Sequence, residues 1–202
     1  MTVVKKAKPS VRPRSQRAHD AAIDAAIRLF AERGIEGTSM DAISEESGVS
    51  KATLYKHWAD KDALCMEVMI RVNGMDQPRP DFNSGDLKQD LKDLLKYKPP
   101  EHPSLLRDRL MPHLIAYGAK NQRFGIAWRS RVIEPPRVQL VELLERGIRK
   151  GILPKKLDIQ LASALLIGPM MYNHIFCGSV TPLQDLAEGV VESFWRAHAK
   201  PE

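Results

Sequence analysis

Residues 38–58, TSMDAISEESGVSKATLYKHW, place two short amphipathic runs on either side of one glycine, which leaves space for two helices and a tight turn between them. Thr38 is expected to cap the first helix, with Asp41 three residues on completing a Thr-x-x-Asp variant of the capping box. Ala42 and Ile43 begin its apolar face. Gly48 accepts the left-handed backbone of a sharp turn, and Val49 beside it fills the angle between the helices. Ser50 caps the second helix, on which Leu54 and Trp58 fall four apart and turn inward. Lys51, Thr53, Tyr55, Lys56 and His57 are left outside, a polar, basic and aromatic face. A helix, a sharp turn and a second helix with such a face can lay that second helix in the major groove of DNA. Without further context the pattern is equally a hairpin with a solvated outer face.

The flanks supply context. Upstream, His19 to Arg33 carries Ile23, Ile27 and Phe30 on one stripe at helical spacing, and Gly34 follows as a stop. Downstream, Asp60 caps a helix with Leu64, Val68 and Val72 on one face. These residues resemble the amino-terminal region of the TetR (tetracycline-repressor) family of bacterial transcriptional regulators. The likeness covers roughly residues 18–68 and is carried by GVSKATLYKHWADKDAL, with Phe30, Gly34 and Thr38 at the family's spacing before it. Ser44, Ser47, Trp58 and Ala59 depart from the commoner residues, as small changes of packing.

The resemblance implies that Lys51, Ala52, Thr53 and Lys56 lie nearest the base edges, with Thr38, Tyr55, His57 and Lys61 closer to the phosphates and Ser50 at the helix start. Chemistry agrees in part, since a lysine donates to guanine acceptors and the methyls of Ala52 and Thr53 suit a thymine methyl. The start of the helix at Asp60 and Lys61 also offers N–H groups to an anion. It further implies a homodimer on a palindromic operator, and a small-molecule effector that moves the helix begun at Asp60. A repressor is the family's usual form. An activator would use the same residues, and a nonspecific DNA-binding protein is a third reading.

Charge points the same way. The chain carries net +6, and Lys5, Lys6, Lys8, Arg12, Arg14 and Arg17 stand in the first seventeen residues without an acid. The remaining 25 basic side chains balance the 25 acids, so the excess is an arm, residues 1–17, expected to be disordered. It is either a solubilising tail or a strand of phosphate and minor-groove contacts. A neutral body argues against nonspecific DNA compaction, which would spread basic charge over the fold.

The rest reads as helices punctuated by prolines. Leu87, Leu91, Leu94 and Leu95 form one, ended by Pro99 and Pro100, and Leu105 to Tyr117 forms another that Pro112 should kink or split. Asn121 to Ile133 and Val138 to Lys150 are expected as two runs separated by Pro135 and Pro136, with Gly151 stopping the second. Asp158 to Phe176 is apolar over much of its circumference, with Pro169 after Gly168 expected to interrupt it, and Leu183 to His198 places Leu186, Val190, Phe194 and Trp195 at helical intervals. These last two segments are where the resemblance puts the dimer interface; burial within one subunit is the alternative. No alternating strand pattern occurs. The fold is expected to be all-α: an arm (1–17), a three-helix helix-turn-helix DNA-binding domain (18–64) and a larger ligand-binding and dimerisation domain (65–202).

His113, Tyr117, Trp128, Met171, Tyr172 and His174 are candidates to line an effector pocket, as polar or aromatic handles on apolar segments, although residues of this kind also serve as core. Cys65 and Cys177 lack the spacing of a zinc site or thiol switch, and no His-x-x-x-His pair, glycine-rich phosphate loop or Gly-x-Ser-x-Gly elbow is present. No enzyme, metal or cofactor is expected. The basic start lacks a following signal-peptide core and the longest apolar stretch is too short to span a bilayer, so a cytoplasmic protein without a membrane partner is expected.

Overall fold

Helices account for all regular structure in the computed structural model, which describes residues 14–98, 104–177 and 181–199. The order among these residues is α1 (Arg14–Arg33), α2 (Met40–Ser47), α3 (Lys51–His57), α4 (Lys61–Val72), α5 (Leu87–Lys96), α6 (Ser104–Lys120), α7 (Gln122–Trp128), α8 (Glu134–Arg149), α9 (Ile159–Ile175) and α10 (Leu183–His198). A π-helical turn, Arg129–Ile133, joins α7 to α8. Because α1 starts at Arg14, Arg14 and Arg17 lie on its first turns and not on an arm; residues 1–13 fall outside the described residues, as do Pro99 and Pro100.

Two apolar cores hold the helices. In the first, Ile23, Ile27 and Phe30 of α1 pack with Ile43, Leu54, Leu64 and Val68, and the same core continues through Leu110 and Leu114 of α6, Phe124 of α7 and Val132. Each such side chain removed from water contributes about 1.5–3 kcal/mol. The amino-terminal helices are therefore not sealed at residue 64, since α4 continues past it and α6 and α7 complete their core. The second core joins Leu87, Leu91 and Leu94 of α5 to Leu140, Leu143 and Leu144 of α8, Leu166 of α9, and Val191 and Phe194 of α10.

A buried ion pair crosses the second core. Asp90, 1% exposed, accepts from the Ser84 N–H at 2.9 Å and the Ser84 hydroxyl at 2.7 Å. Arg146 of α8 donates to its other oxygen, and through Nη1 to the Phe82 carbonyl at 3.1 Å and Asn83 Oδ1 at 2.8 Å. The loop before α5 is thereby pinned to α8.

The prolines break less than the sequence suggests. Helix α6 runs through Pro112 and α9 through Pro169, neither being split. A mid-helix proline costs about 3 kcal/mol, but Leu110, Met111 and Leu114 beside Pro112 are all buried, and unwinding there would strip them from the core. Pro135 and Pro136 do not separate two helices either. They occupy the first turn of α8, where their missing N–H groups are no loss, and the Glu134 N–H reaches back to the Arg129 carbonyl in the widened π turn, so the chain continues. The α6–α7 corner depends on glycine: a Cβ on Gly125 would stand 2.6 Å from the Gly118 carbonyl oxygen.

Candidate nucleic-acid interface and effector cavity

Ser39, not Thr38, caps α2, its hydroxyl accepting from the Ala42 N–H at 3.1 Å. Thr38 is turned inward, 1% exposed, and donates to the Gly34 carbonyl at 2.8 Å and the Leu29 carbonyl at 3.3 Å, so its hydroxyl ties down the end of α1. Asp41 forms no capping box; its carboxylate meets Lys51 Nζ at 2.7 Å. Gly48 takes φ 67° as the stop of α2. The two serines that depart from the family pattern lock this turn. Ser44 donates to the Val49 carbonyl at 2.6 Å, and Ser47 donates to the Ile43 carbonyl at 2.6 Å while accepting from the Val49 N–H at 3.2 Å.

Helix α3 is capped by Ser50, whose oxygen accepts from the Thr53 N–H at 3.3 Å. Leu54 is fully buried and Trp58, 3% exposed, is its carboxyl cap. The Trp58 indole N–H donates to Glu67 of α4 at 2.7 Å, and His19 Nε2 of α1 lies 2.7 Å from the other Glu67 oxygen while its ring stacks on Trp58. One carboxylate thus binds α1, α3 and α4 together. His57 is half-buried with its ring 5.3 Å from that of His19, and Thr53 is half-buried as well, so the open face consists of Ser50, Lys51, Ala52, Tyr55 and Lys56.

Lys61 is spent internally. Its ammonium donates to the Ile35 carbonyl at 2.7 Å and the Thr38 carbonyl at 2.9 Å and lies 6.0 Å from the centre of the Tyr117 ring, a clamp on the α1–α2 connection. The Asp60 carboxylate takes the start of α4 for itself, accepting from the Ala63 N–H at 2.8 Å. Tyr117 of α6 donates to Asp62 of α4 at 2.5 Å, and burial first, then that hydrogen bond, push its phenol well above the usual range.

A cavity of about 370 Å³ lies where the end of α4 meets α5, α6, the π turn, α8 and α9. Of the six sequence candidates, Met171 and His174 line it and His113, Tyr117, Trp128 and Tyr172 do not. The reasons are particular. His113 packs beside Gly34, Tyr117 is bound to Asp62, Trp128 covers Gly118, and Tyr172 is 62% exposed on the outside of α9. The polar wall is instead made by Asn73, Arg79, Tyr97 and Arg137, with His174, whose Nδ1 lies 3.1 Å from Asp108. Arg79 stands between Pro78 and Pro80 in a loop, a setting that carries no helical signal to reveal it. Burial pushes the Cys65 thiol well above its usual range, so it stays protonated, and among the described residues no group of three or more His, Cys, Asp or Glu side chains could hold a metal. No described helix is long and apolar enough to cross a membrane.

A short capped helix held by a tryptophan and a leucine on a helical scaffold, presenting lysine, alanine and tyrosine outward, is that of a helix-turn-helix DNA-binding protein. Residues 22–68 match the family described as bacterial regulatory proteins, tetR family, and residues 80–194 match the tetracyclin repressor-like C-terminal domain. The chain belongs to the TetR family of transcriptional regulators. It is 32% identical over 169 residues, 83% of each chain, to an uncharacterized HTH-type transcriptional regulator, YdeS, of Bacillus subtilis (strain 168). Among solved structures it resembles a TetR-family transcriptional regulator from Mesorhizobium loti MAFF303099 (25% identity, TM-score 0.66, 94% of this chain and 100% of that one). The regulator FadR of Bacillus subtilis in complex with stearoyl-CoA shares the fold (17% identity, TM-score 0.64, 87% and 97% covered).

Proposed function

We propose that the protein represses transcription as a homodimer on a palindromic operator and is released from it by a small molecule taken into the cavity. The observation that carries this reading is the span of α4. Its carboxyl cap, Asn73, lines the cavity, while Glu67 and Lys61 fasten its body and start to Trp58 and the α1–α2 connection. A ligand that shifts the far end of α4 therefore shifts the reading helix with it, and a coupling of about 1–3 kcal/mol would lower DNA affinity roughly five- to 150-fold. The outer side of α9 supports a dimer: Leu161, Leu165, Tyr172 and Phe176 are 57%, 48%, 62% and 74% exposed, an apolar stripe suited to a second copy. Two subunits would set two α3 helices about 34–36 Å apart on successive major grooves.

Titration of the protein into a palindromic site selected from random DNA, beside a scrambled duplex, tests this. Two subunits per site, tight binding that scrambled DNA lacks, and a loss of at least about tenfold in the Tyr55→Ala, Lys56→Ala variant are expected. Equal and steeply salt-dependent binding to both duplexes would leave only backbone attraction and overturn the reading. Reporter expression with and without the regulator gives its sign: repression is expected, and a fall on deleting the regulator would make it an activator.

A further inference from the structure

Arg79 is a cation in the wall of an apolar cavity, and no carboxylate among the described residues answers it. The other polar side chains there that carry or can carry positive charge are matched. Arg137 is paired in two-pronged fashion with Glu134 (2.9 and 2.5 Å), and His174 lies against Asp108. Arg79 makes no ion pair among the described residues. Its contacts are neutral: Nε donates to the Gln139 side-chain oxygen at 2.5 Å, Nη1 approaches Met75 sulfur at 3.9 Å, and the guanidinium carbon stands 5.2 Å from the centre of the Tyr97 ring. Gln139 also donates to the Pro80 carbonyl at 3.3 Å, so one side chain holds both the arginine and the residue after it. Nη2 makes no hydrogen bond among the described residues. Partial burial lowers its pKa. An uncompensated charge withdrawn from water is costly, and a guanidinium whose outer N–H groups are open is suited to a carboxylate. Around it the wall is aliphatic and thioether: Leu94, Met111, Leu140, Ile167 and Met170.

We propose that the cavity takes an amphipathic organic anion, a carboxylic acid with an aliphatic or aromatic body, whose carboxylate pairs with Arg79 while its apolar part fills the space against α6, α8 and α9. The proposal rests on the reading of the cavity as an effector site and names the chemical class that site admits. The opposite end of Arg79, held by Gln139 and Tyr97, makes the anion-binding face a fixed one, and a neutral ligand of the same shape would leave the cation unanswered.

Calorimetric titration of the full chain with straight-chain carboxylates of eight to fourteen carbons, each beside the alcohol and the trimethylammonium of equal length, tests it. At least one carboxylate is expected to bind about tenfold or more tighter than its alcohol, with the cation weakest. Arg79→Met should abolish that preference and Arg79→Lys keep part of it, both variants retaining the parent's affinity for the selected DNA site. Equal binding of acid and alcohol, a preference that survives in Arg79→Met, or no carboxylate binding at any length would overturn the proposal. The same ligands are then added to the protein–DNA complex. Charge-selective binding without release of DNA would sink the induction reading and leave the ligand class standing, whereas release by alcohol and acid alike would do the reverse.

Discussion

Arg146→Ala is expected to lower the stability of the folded chain by about 3–5 kcal/mol, the cost of leaving a buried carboxylate without its countercharge. Asp90 is 1% exposed and stays inside whether or not Arg146 is present, because α5 holds it there between Leu87, Leu91 and Leu94. The Ser84 contacts remain but carry no positive charge. Truncation also frees the Phe82 carbonyl and the Asn83 side chain, so the loop before α5 loses its attachment to α8. Urea unfolding at neutral pH measures the effect, and a midpoint unchanged from the parent would move this pair into the class of surface pairs worth no more than about 1 kcal/mol.

Acid should act on the same region. Burial by itself would raise the pKa of Asp90, and the Ser84 hydroxyl and N–H with the Arg146 guanidinium outweigh it and hold the carboxyl below its ordinary value. Glu192 of α10 is held down at about 2 by hydrogen bonds from Lys88 and Lys92 of α5. For a group whose folded pKa is depressed, the stabilisation is complete above the unfolded value, about 4 for a carboxylate, and is lost as pH falls through the folded one. The urea midpoint should therefore hold from pH 7 to about pH 5 and then decline toward pH 2. Arg146→Ala should show a shallower acid decline, since Asp90 has lost one of the groups that depress its pKa. A decline equally steep in both would assign the acid sensitivity elsewhere.

Helix spacing and caps made much of the architecture legible. The stripe of Ile23, Ile27 and Phe30, the stop at Gly48, the caps at Ser50 and Asp60, and the span Leu183 to His198 can all be read from local pattern, because each is decided by residues within one turn of each other. What local pattern could not supply was the outcome of competition between a local preference and distant packing. Pro112 carries a real helix penalty that its buried neighbours override, α9 continues through Pro169, and at Pro135 the wider π turn removes the conflict altogether. Thr38 and Ser39 are both good caps by residue type, and which one caps depends on the Gly34 and Leu29 carbonyls claiming Thr38 first. The cavity was least legible. It is assembled from loop residues such as Arg79 and from the inner turns of five helices, so no single stretch of sequence marks it, and polar residues on apolar helices proved to be rivets between helices, as with Tyr117 and Asp62, as often as they faced the space.

Leu54→Ala should abolish specific DNA binding although Leu54 touches no outward surface. It is the one buried side chain of α3, a helix of seven residues, and is fully enclosed by the first core. A helix this short has no stability of its own in water, so its position depends on that anchor and on the Ser50 and Trp58 caps at its ends. Removing the leucine side chain costs about 2–5 kcal/mol in lost burial and residual cavity. The loss should be local at first, because the second core contains no residue of α1 to α4. Hydrogen exchange should then show α3 amides unprotected while those of α9 and α10 stay protected, and titration with the selected site should give no saturable binding. The Tyr55→Ala, Lys56→Ala variant supplies the contrast, since it removes exposed contacts, keeps α3 protected and weakens binding without unfolding the helix. Near-parent affinity in Leu54→Ala would mean that DNA itself orders α3 and that the packed hairpin is not the element that reads the site.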